Sequence, residues 1–583
     1  MQVVEQLHEL FIPYFYIFDP PALRKLDFLG RFLHGETQLW RWSDRDVSSC
    51  SFFLLFPCIH AWVPANKTWF LVSFSWLIFT LTLFLRCADA EIPSKIGVNY
   101  GQLGDNLPSP SQSIEFIKSM KAGRVKLYDA NPEILNLLSG TKIQVSIMVP
   151  NQEISNISSN QTLADQWVRD NVLSYYPQTM IRFIVVGNEV LSYYSDRDRE
   201  TWSNLVPAMR RIKKSLQANN IPNIKVGTSV AMDVMESSFP PSSGMFRSDI
   251  LDTVMVPLLE FLSGTNSFFF LDVYPYLAWS ANPSNISLDY ALFRDGNLNY
   301  TDPISNLTYT NLLDEMLDSV IFAMEKLGYP NIRLLISETG WPNAGDVDQP
   351  GANVYNAALY NQNLIKKMTA KPAVGTPARP GMTIPTFIFA LYNENQKRGP
   401  GTERHWGLLD CNGKPVYGVD LTGELESNDD QLPMPQNNKP YQGKIWCVVA
   451  SEVNPEQLVS ALIYACSQGN GTCDALMPGK ECYEPFSLLS HASYAFSSYW
   501  AKFRSLGANC YFNGLAVQTT EDPSKCFNFL CVNCVNHPTL RYFHIPVTLS
   551  IEEAMLFSLI QKLHILCVIS ICWSLLVFKE HRT

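Results

Sequence analysis

The sequence predicts an α/β chain: an eight-stranded TIM-type β/α barrel followed by a small disulfide-rich C-terminal module. Three observations carry that reading. Between Ile92 and Leu421 short β-rich runs alternate with longer amphipathic stretches, and there are eight such runs. Eight β-α units in roughly 330 residues fit a barrel whose usual size is about 250 residues before insertions. No G-x-G-x-x-G or P-loop follows the first run, where the alternative, an open doubly wound sheet binding a nucleotide, would carry one. Cysteines, finally, are almost absent from the barrel span and crowd together after it.

In chain order, residues 1–66 are an aromatic-rich extension to which no element is assigned and for which disorder is expected. Lys67 then precedes the uncharged run Thr68–Leu85, and Ala88-Asp89-Ala90 supplies an A-x-A cleavage pattern. Residues 67–90 thus read as a signal peptide cut after Ala90 or, because the run is long for a signal core, as an uncleaved signal anchor. The barrel domain is assigned to 91–423. Its strand runs are KIGVNY (95–100), RVKLYD (124–129), KIQVSIMV (142–149), IRFIVVGNE (181–189), IKVGTSVAM (224–232), FFFLDVYPY (268–276), IRLLISETG (332–340) and TIPTFIFALYNEN (383–395). Between them PSQSIEFIKSMK, ADQWVRDNVLSYY, NLVPAMRRIKKSLQANN and NLLDEMLDSVIFAMEKLG carry apolar residues at helical spacing. Residues 424–440, polar and proline-bearing, read as a linker. Residues 441–529 hold Cys447, Cys466, Cys473, Cys482, Cys510 and Cys526, the pattern of a small stapled domain from an oxidising compartment. No C-x₂-C pair occurs among the six, which disfavours zinc, and fifteen pairings are open to them. Cys531 and Cys534 have that spacing but no second pair follows. The tail 530–583 is unassigned, with an apolar segment at 563–578 that is short for a membrane span.

Composition narrows the function classes. With 46% hydrophobic, 12% aromatic and 17% charged residues, most of the chain should fold. A net charge of −10, from 44 Lys and Arg against 54 Asp and Glu, offers no general footprint for nucleic acid or anionic lipid, and a neutral partner fits better. Sequons at Asn66, Asn156, Asn160, Asn285, Asn299, Asn306 and Asn470 agree with a secreted glycoprotein.

In a barrel, chemistry gathers at the C-terminal ends of the strands. Here those ends read Asn99-Tyr100, Tyr128-Asp129, Gly187-Asn188-Glu189, Asp272-Val273-Tyr274-Pro275-Tyr276, Ser337-Glu338-Thr339-Gly340-Trp341-Pro342 and Tyr392-Asn393-Glu394-Asn395. A lone strand-end Glu is more often a cap or salt-bridge carboxylate. Two of them, amid Asn, Tyr and Trp, suit a sugar, because glycoside hydrolysis needs one carboxylic acid and one carboxylate about the anomeric carbon.

The stretches IGVNYG, VKLYDANP, VVGNEV, VYPYLAW, ISETGWP, FALYNENQK and ERHWGLL resemble glycoside hydrolase family 17, the plant endo-β-1,3-glucanases, over 92–421. That resemblance implies endo-hydrolysis of (1→3)-β-D-glucosidic linkages by a retaining double displacement. Glu189 would be the acid/base, Glu338 the nucleophile, and Asn188 a partner of the sugar 2-hydroxyl. Tyr100, Tyr128, Tyr274, Trp341, Phe389, Glu394, Lys397 and Trp406 are implied as cleft residues. The stretches WCVV, ACSQGNGTC, PGKECYEP, HASYAFSSYW and GANCYFNGLAVQTTEDPSKC resemble carbohydrate-binding module family 43. Of its rings Trp446, Tyr483, Tyr494, Tyr499 and Trp500, most are expected to fill a thin core. No cofactor or metal is implied. The expected partner is β-1,3-glucan, with no nucleic acid; the protein is expected to be a monomer in the cell wall or extracellular space, with plasma-membrane association left open. Alternatives to hydrolysis are transglycosylation on the same scaffold and non-catalytic wall binding, which two intact carboxylates disfavour.

Overall fold

The computed structural model describes residues 96–294, 297–424, 432–469, 471–484 and 486–523. The chain divides into Met1–Ala90 and Glu91–Thr583, and the first unit, with the signal segment, lies outside the described residues. So do Cys526, Cys531, Cys534 and the tail.

All eight predicted runs form strands: β1 (Ile96–Tyr100), β2 (Arg124–Leu127), β3 (Gln144–Val149), β4 (Met180–Asn188), β5 (Lys225–Ala231), β6 (Phe268–Asp272), β7 (Arg333–Thr339) and β8 (Thr386–Ile388). They pair in parallel in the order β1-β8-β7-β6-β5-β4-β3-β2 and close on themselves. Alternation sorts their side chains. On β2, Val125 and Leu127 join the layer between sheet and helices, so Arg124, Lys126 and Tyr128 face the barrel axis. The lower interior is an aromatic plug of Met148, Phe183, Val185, Phe268, Phe270, Leu335 and Phe387, with Phe183 meeting Phe268, Phe270 and Phe387 edge-on at 6.1, 6.0 and 6.3 Å. Above the plug the interior turns polar, with Asn99, Lys126, Ser229, Asp272 and Ser337 all buried. The site is built on that layer.

Two elements differ from the sequence reading. The helix expected from Asn204 begins eight residues earlier, as Asp196–Ala218, because Ser195 and Asp198 close a capping box; Trp202, Leu205, Val206, Met209, Ile212 and Leu216 form its buried stripe. β8 is only three residues long, although its run extends to Asn395. Past Ile388 the backbone leaves the ladder, as Ala390 N–H donates to Trp406 O (3.0 Å), Leu391 N–H to Asn99 O (2.8 Å) and Asn393 N–H to Leu409 O (3.0 Å). Those bonds turn Glu394 and the loop after it over the barrel mouth.

The module pairs β9 (Trp446–Val449) with β10 (Ala516–Thr519), antiparallel, against the helices Pro455–Ser467 and Leu488–Phe503. Disulfides join Cys447 to Cys510 and Cys466 to Cys473. Cys482 has no disulfide partner among the described residues. Trp500 and Phe496 fill the core, while Trp446, Tyr483, Tyr494 and Tyr499 are half-buried and the unanticipated Phe486 and Tyr464 are exposed. The described part of the linker lies against the barrel. Asn353 donates to Asn437 (2.8 Å) and Asn438 (3.0 Å), Asn356 to Asn438 (2.8 Å), and Gly351 N–H to Asn437 O (2.7 Å), so its polar composition serves docking. No described helix is long and apolar enough to cross a membrane.

Candidate active site

Glu338 sits where β7 loses its register. The ladder to β6 shifts between Ile336 and Glu338, and that to β8 between Ile336 and Thr339. Such a bulge at a strand end re-aims a side chain. The buried carboxylate accepts three short hydrogen bonds: Oε1 from Lys126 Nζ (2.7 Å) and Tyr128 OH (2.7 Å), Oε2 from Tyr274 OH (2.7 Å). Burial alone would raise its proton affinity, but the Lys126 charge and the three donors outweigh it and hold the carboxyl below the usual carboxylate range. Both tyrosines are pushed well above their ordinary range, by burial first and then by Glu338, so they remain donors.

Lys126 was not anticipated. It is 1% exposed, and its Nζ also reaches Asn188 Oδ1 (3.2 Å), Ser229 Oγ (3.4 Å) and Asp272 Oδ1 (3.9 Å). A cation this deep needs a compensating anion. Asp272 is the weaker candidate: burial, then repulsion from Glu338, push its carboxyl well above the usual range and favour the neutral acid. The closer Glu338 therefore carries the charge. The signal for Lys126 was its strand parity with Tyr128, which puts a lysine on the barrel axis one layer below the mouth.

Glu189 is presented by a different device. Gly187 (φ 73°) and Glu189 (φ 49°) are both left-handed, a conformation that costs a non-glycine residue about 1–3 kcal/mol. A side chain at 187 would strike Val190 at 2.6 Å and Ile154 at 2.7 Å. Asn151 holds the turn from both sides, accepting from Asn188 N–H (2.8 Å) and donating to Asn188 O (3.0 Å), while Glu189 N–H donates to Ser229 O (2.9 Å). The half-buried Glu189 carboxyl is raised to about 7, by burial first and by the charge of Glu338 second, against the opposing pull of Lys126. Two carboxyls whose surroundings drive their proton affinities apart can serve as an acid and a nucleophile. No group of three or more His, Cys, Asp or Glu that could hold a metal occurs among the described residues.

The sequence profile of glycosyl hydrolases family 17 matches residues 96–421, the span that forms the barrel and carries both carboxyls. The chain belongs to glycosyl hydrolase family 17. A second profile, the X8 domain, matches residues 445–517 of this family 17 chain. It is 61% identical over 436 residues to the probable glucan endo-1,3-beta-glucosidase A6 of Arabidopsis thaliana, covering 75% of this chain and 90% of that one. With the glucan endo-1,3-beta-glucosidase 3 of the same plant it shares 39% over 454 residues, 77% and 87% of the two chains. Among solved structures it is similar to CJP38, a β-1,3-glucanase and allergen of Cryptomeria japonica pollen, at 41% identity and TM-score 0.53, over 56% of this chain and 99% of that one.

The remaining cleft residues of this family 17 chain divide. Tyr128, Tyr274 and Asn188 join the carboxyl network directly. Lys397 Nζ lies 4.0 Å from the Phe389 ring centroid, and Phe389 and Trp406 back Tyr274 at 6.1 and 5.0 Å. Glu394 Oε1 accepts from Leu103 N–H (2.8 Å), tying the loop after β1 to the one after β8. Tyr100 is buried edge-on against Tyr392 at 6.1 Å, in the wall rather than the cleft surface. Trp341 is the correction. It is 0% exposed, packed among Tyr276, Trp279 and Tyr360, with its Nε1–H donated to Gly351 O (2.8 Å), so it presents no face to a sugar. Glu403, outside the expected set, is also raised, by burial first.

Lys126→Met tests the network. Losing an opposite charge at this range raises a carboxyl by about 1–3 pH units. The acid limb of the kcat/KM profile is expected to move up by that amount, and breaking the buried pair to cost about 3–5 kcal/mol in a melt. An unmoved limb would show that Lys126 does not set the charge of Glu338.

Proposed function

We infer that the chain cleaves (1→3)-β-D-glucosidic linkages within β-1,3-glucan by retaining double displacement. The observation that carries this is the opposed pair: Glu338, ionised by Lys126, Tyr128 and Tyr274, and Glu189, raised to about 7. The relatives named as glucan endo-1,3-beta-glucosidases supply the substrate class. Glu338 attacks the anomeric carbon as Glu189 gives its proton to the departing glucan oxygen. Glu189 then takes a proton from water, whose oxygen attacks the same carbon and releases Glu338. Oε2, with one neutral donor, is the attacking atom; Oε1 keeps the cation and Tyr128. The Asn188 amide, held between Lys126 and the barrel mouth, bonds the sugar 2-hydroxyl.

The protein acts outside the cell, in the wall. The sequon asparagines 156, 160, 285, 299 and 306 are all exposed, as glycan acceptors must be. The X8 module adds a second contact with glucan. Transglycosylation shares every step up to the covalent intermediate and differs in which acceptor wins. Product analysis on laminarin decides between them: shorter chains only are expected, and products longer than the starting glucan would reassign the protein as a transglycosylase.

A further inference from the structure

Among the described residues, the module is bonded to the barrel at the loops after β7 and β8, which border the candidate site. The loop after β8 carries Glu394, Lys397, Glu403 and Trp406. Within it Arg404 Nη1 donates to Lys397 O (3.1 Å) and Gly399 O (3.2 Å), which fixes the chain around Lys397. The loop after β7 is bonded to it through Asn343, Asp346 and Gln349. Asn343 donates to Asn393 Oδ1 (3.0 Å), Asp346 Oδ2 accepts from Gly401 N–H (2.7 Å), and Gln349 binds Thr402 through both its amide atoms (2.8 and 3.0 Å).

Two module residues hold this pair of loops. The Tyr511 ring lies beneath the Arg404 guanidinium at 3.9 Å, and its hydroxyl donates to Asn395 O (3.3 Å). Gln518 makes a two-point contact with Asp348, donating to Oδ1 (2.9 Å) and accepting from its N–H (3.3 Å). Both grips stand on one stapled support: Gln518 faces Cys447 across the β9–β10 ladder, and Cys447 is bonded to Cys510, which adjoins Tyr511. From Arg404 the line runs to Trp406, 5.0 Å from Tyr274, whose hydroxyl bonds Glu338.

We propose that the X8 module braces the catalytic cleft, Tyr511 and Gln518 holding the loops after β7 and β8 so that the module governs turnover of soluble substrate. This rests on the hydrolase reading above. Tyr511, Gln518 and Arg404 are positioning residues. A module that only tethers the enzyme to polysaccharide would change the cleavage of insoluble glucan and nothing else.

The test uses the full chain with laminaripentaose, which is short and soluble. Tyr511→Ala with Gln518→Ala is expected to lower kcat by about three- to tenfold, the size of effect that coupling through a packed contact gives. Tyr511→Phe, which keeps the ring under Arg404, is expected to restore most of it. Hydrogen exchange of amides 395–406 should quicken in the double variant, while the melting temperature and the exchange of the module core stay as in the parent. Unchanged kcat together with unchanged exchange of 395–406 would overturn the brace. If the parent itself left laminaripentaose intact, the hydrolase reading would fall, and the exchange of 395–406 would still decide whether the module holds the loop.

Discussion

Glu338→Gly is expected to lower hydrolysis of laminarin by about five orders of magnitude, ~7 kcal/mol of lost transition-state stabilisation, because it removes the carboxylate that Lys126, Tyr128 and Tyr274 hold ionised. Asp272, 3.9 Å from Lys126, is fully buried and favoured as the neutral acid. The same variant should gain a capacity that the parent lacks. Removing the side chain opens room on the face from which Glu338 attacked. An α-glucosyl fluoride, whose anomeric configuration matches the covalent intermediate, can then occupy the site. Glu189 takes the proton of an acceptor's 3-hydroxyl, the acceptor oxygen bonds the anomeric carbon and fluoride departs. The product is a β-1,3-linked oligosaccharide one glucose longer, which nothing in the variant can cleave. Chromatography with NMR of the new linkage measures both halves. Near-parental hydrolysis, or an α-linked product, would remove Glu338 from the nucleophile's place. Stability should also fall, since Lys126 is left without its anion, and Asp272, freed from the repulsion of Glu338, becomes its nearest replacement.

How much of this was legible beforehand follows from what each residue's neighbours in sequence could say. The eight strands were readable because β-branched and aromatic runs of this length, spaced by helical periodicity, have few other uses. Glu189 and Glu338 were readable because each ends a run and is followed by a turn. Lys126 was not, since a lysine is ordinarily solvated and nothing next to it in RVKLYD marks it as buried; only counting parity from Tyr128 places it inside. Trp341 failed in the opposite direction. Its position after the β7 carboxylate suggested a sugar platform, but the turn carries the indole back among Tyr276, Trp279 and Tyr360, where aromatic packing and the Gly351 carbonyl satisfy it. The start of the Asp196–Ala218 helix was hidden because its first turns, DRDRET, carry no apolar stripe and are nucleated by the Ser195 cap. The two disulfides could not be chosen from fifteen pairings, because pairing depends on which segments the module's strands and helices bring within Cα separations of 5.7 and 5.3 Å.

Glu189→Ala is expected to cost about 10²–10⁴-fold on glucan, the range for a lost general acid and base, and its pH behaviour identifies the residue more sharply than the size of the loss. In the parent, Glu338 must be ionised and Glu189 protonated. Glu338 lies below the usual carboxylate range, so activity is gained at low pH; Glu189 is raised to about 7, so kcat/KM is expected to fall as pH rises through that value. The two limbs belong to the pair, because each charge is felt by the other. Removing Glu189 should erase the alkaline limb and leave the acid limb in its place, because Glu189 is already protonated and uncharged at the pH where Glu338 titrates. Dinitrophenyl β-glucosides, whose leaving group needs no proton, should form the glycosyl-enzyme at close to the parental rate and then stall for want of a base. Azide, which needs no deprotonation, should attack that intermediate and release Glu338, giving β-glucosyl azide. Glu403 is the residue this experiment must separate from Glu189, as its carboxyl is also raised by burial and lies in the loop over the cleft. If Glu189→Ala kept the alkaline limb near pH 7 and azide rescued Glu403→Ala instead, the acid would be Glu403 and the left-handed turn at Glu189 would serve substrate binding alone.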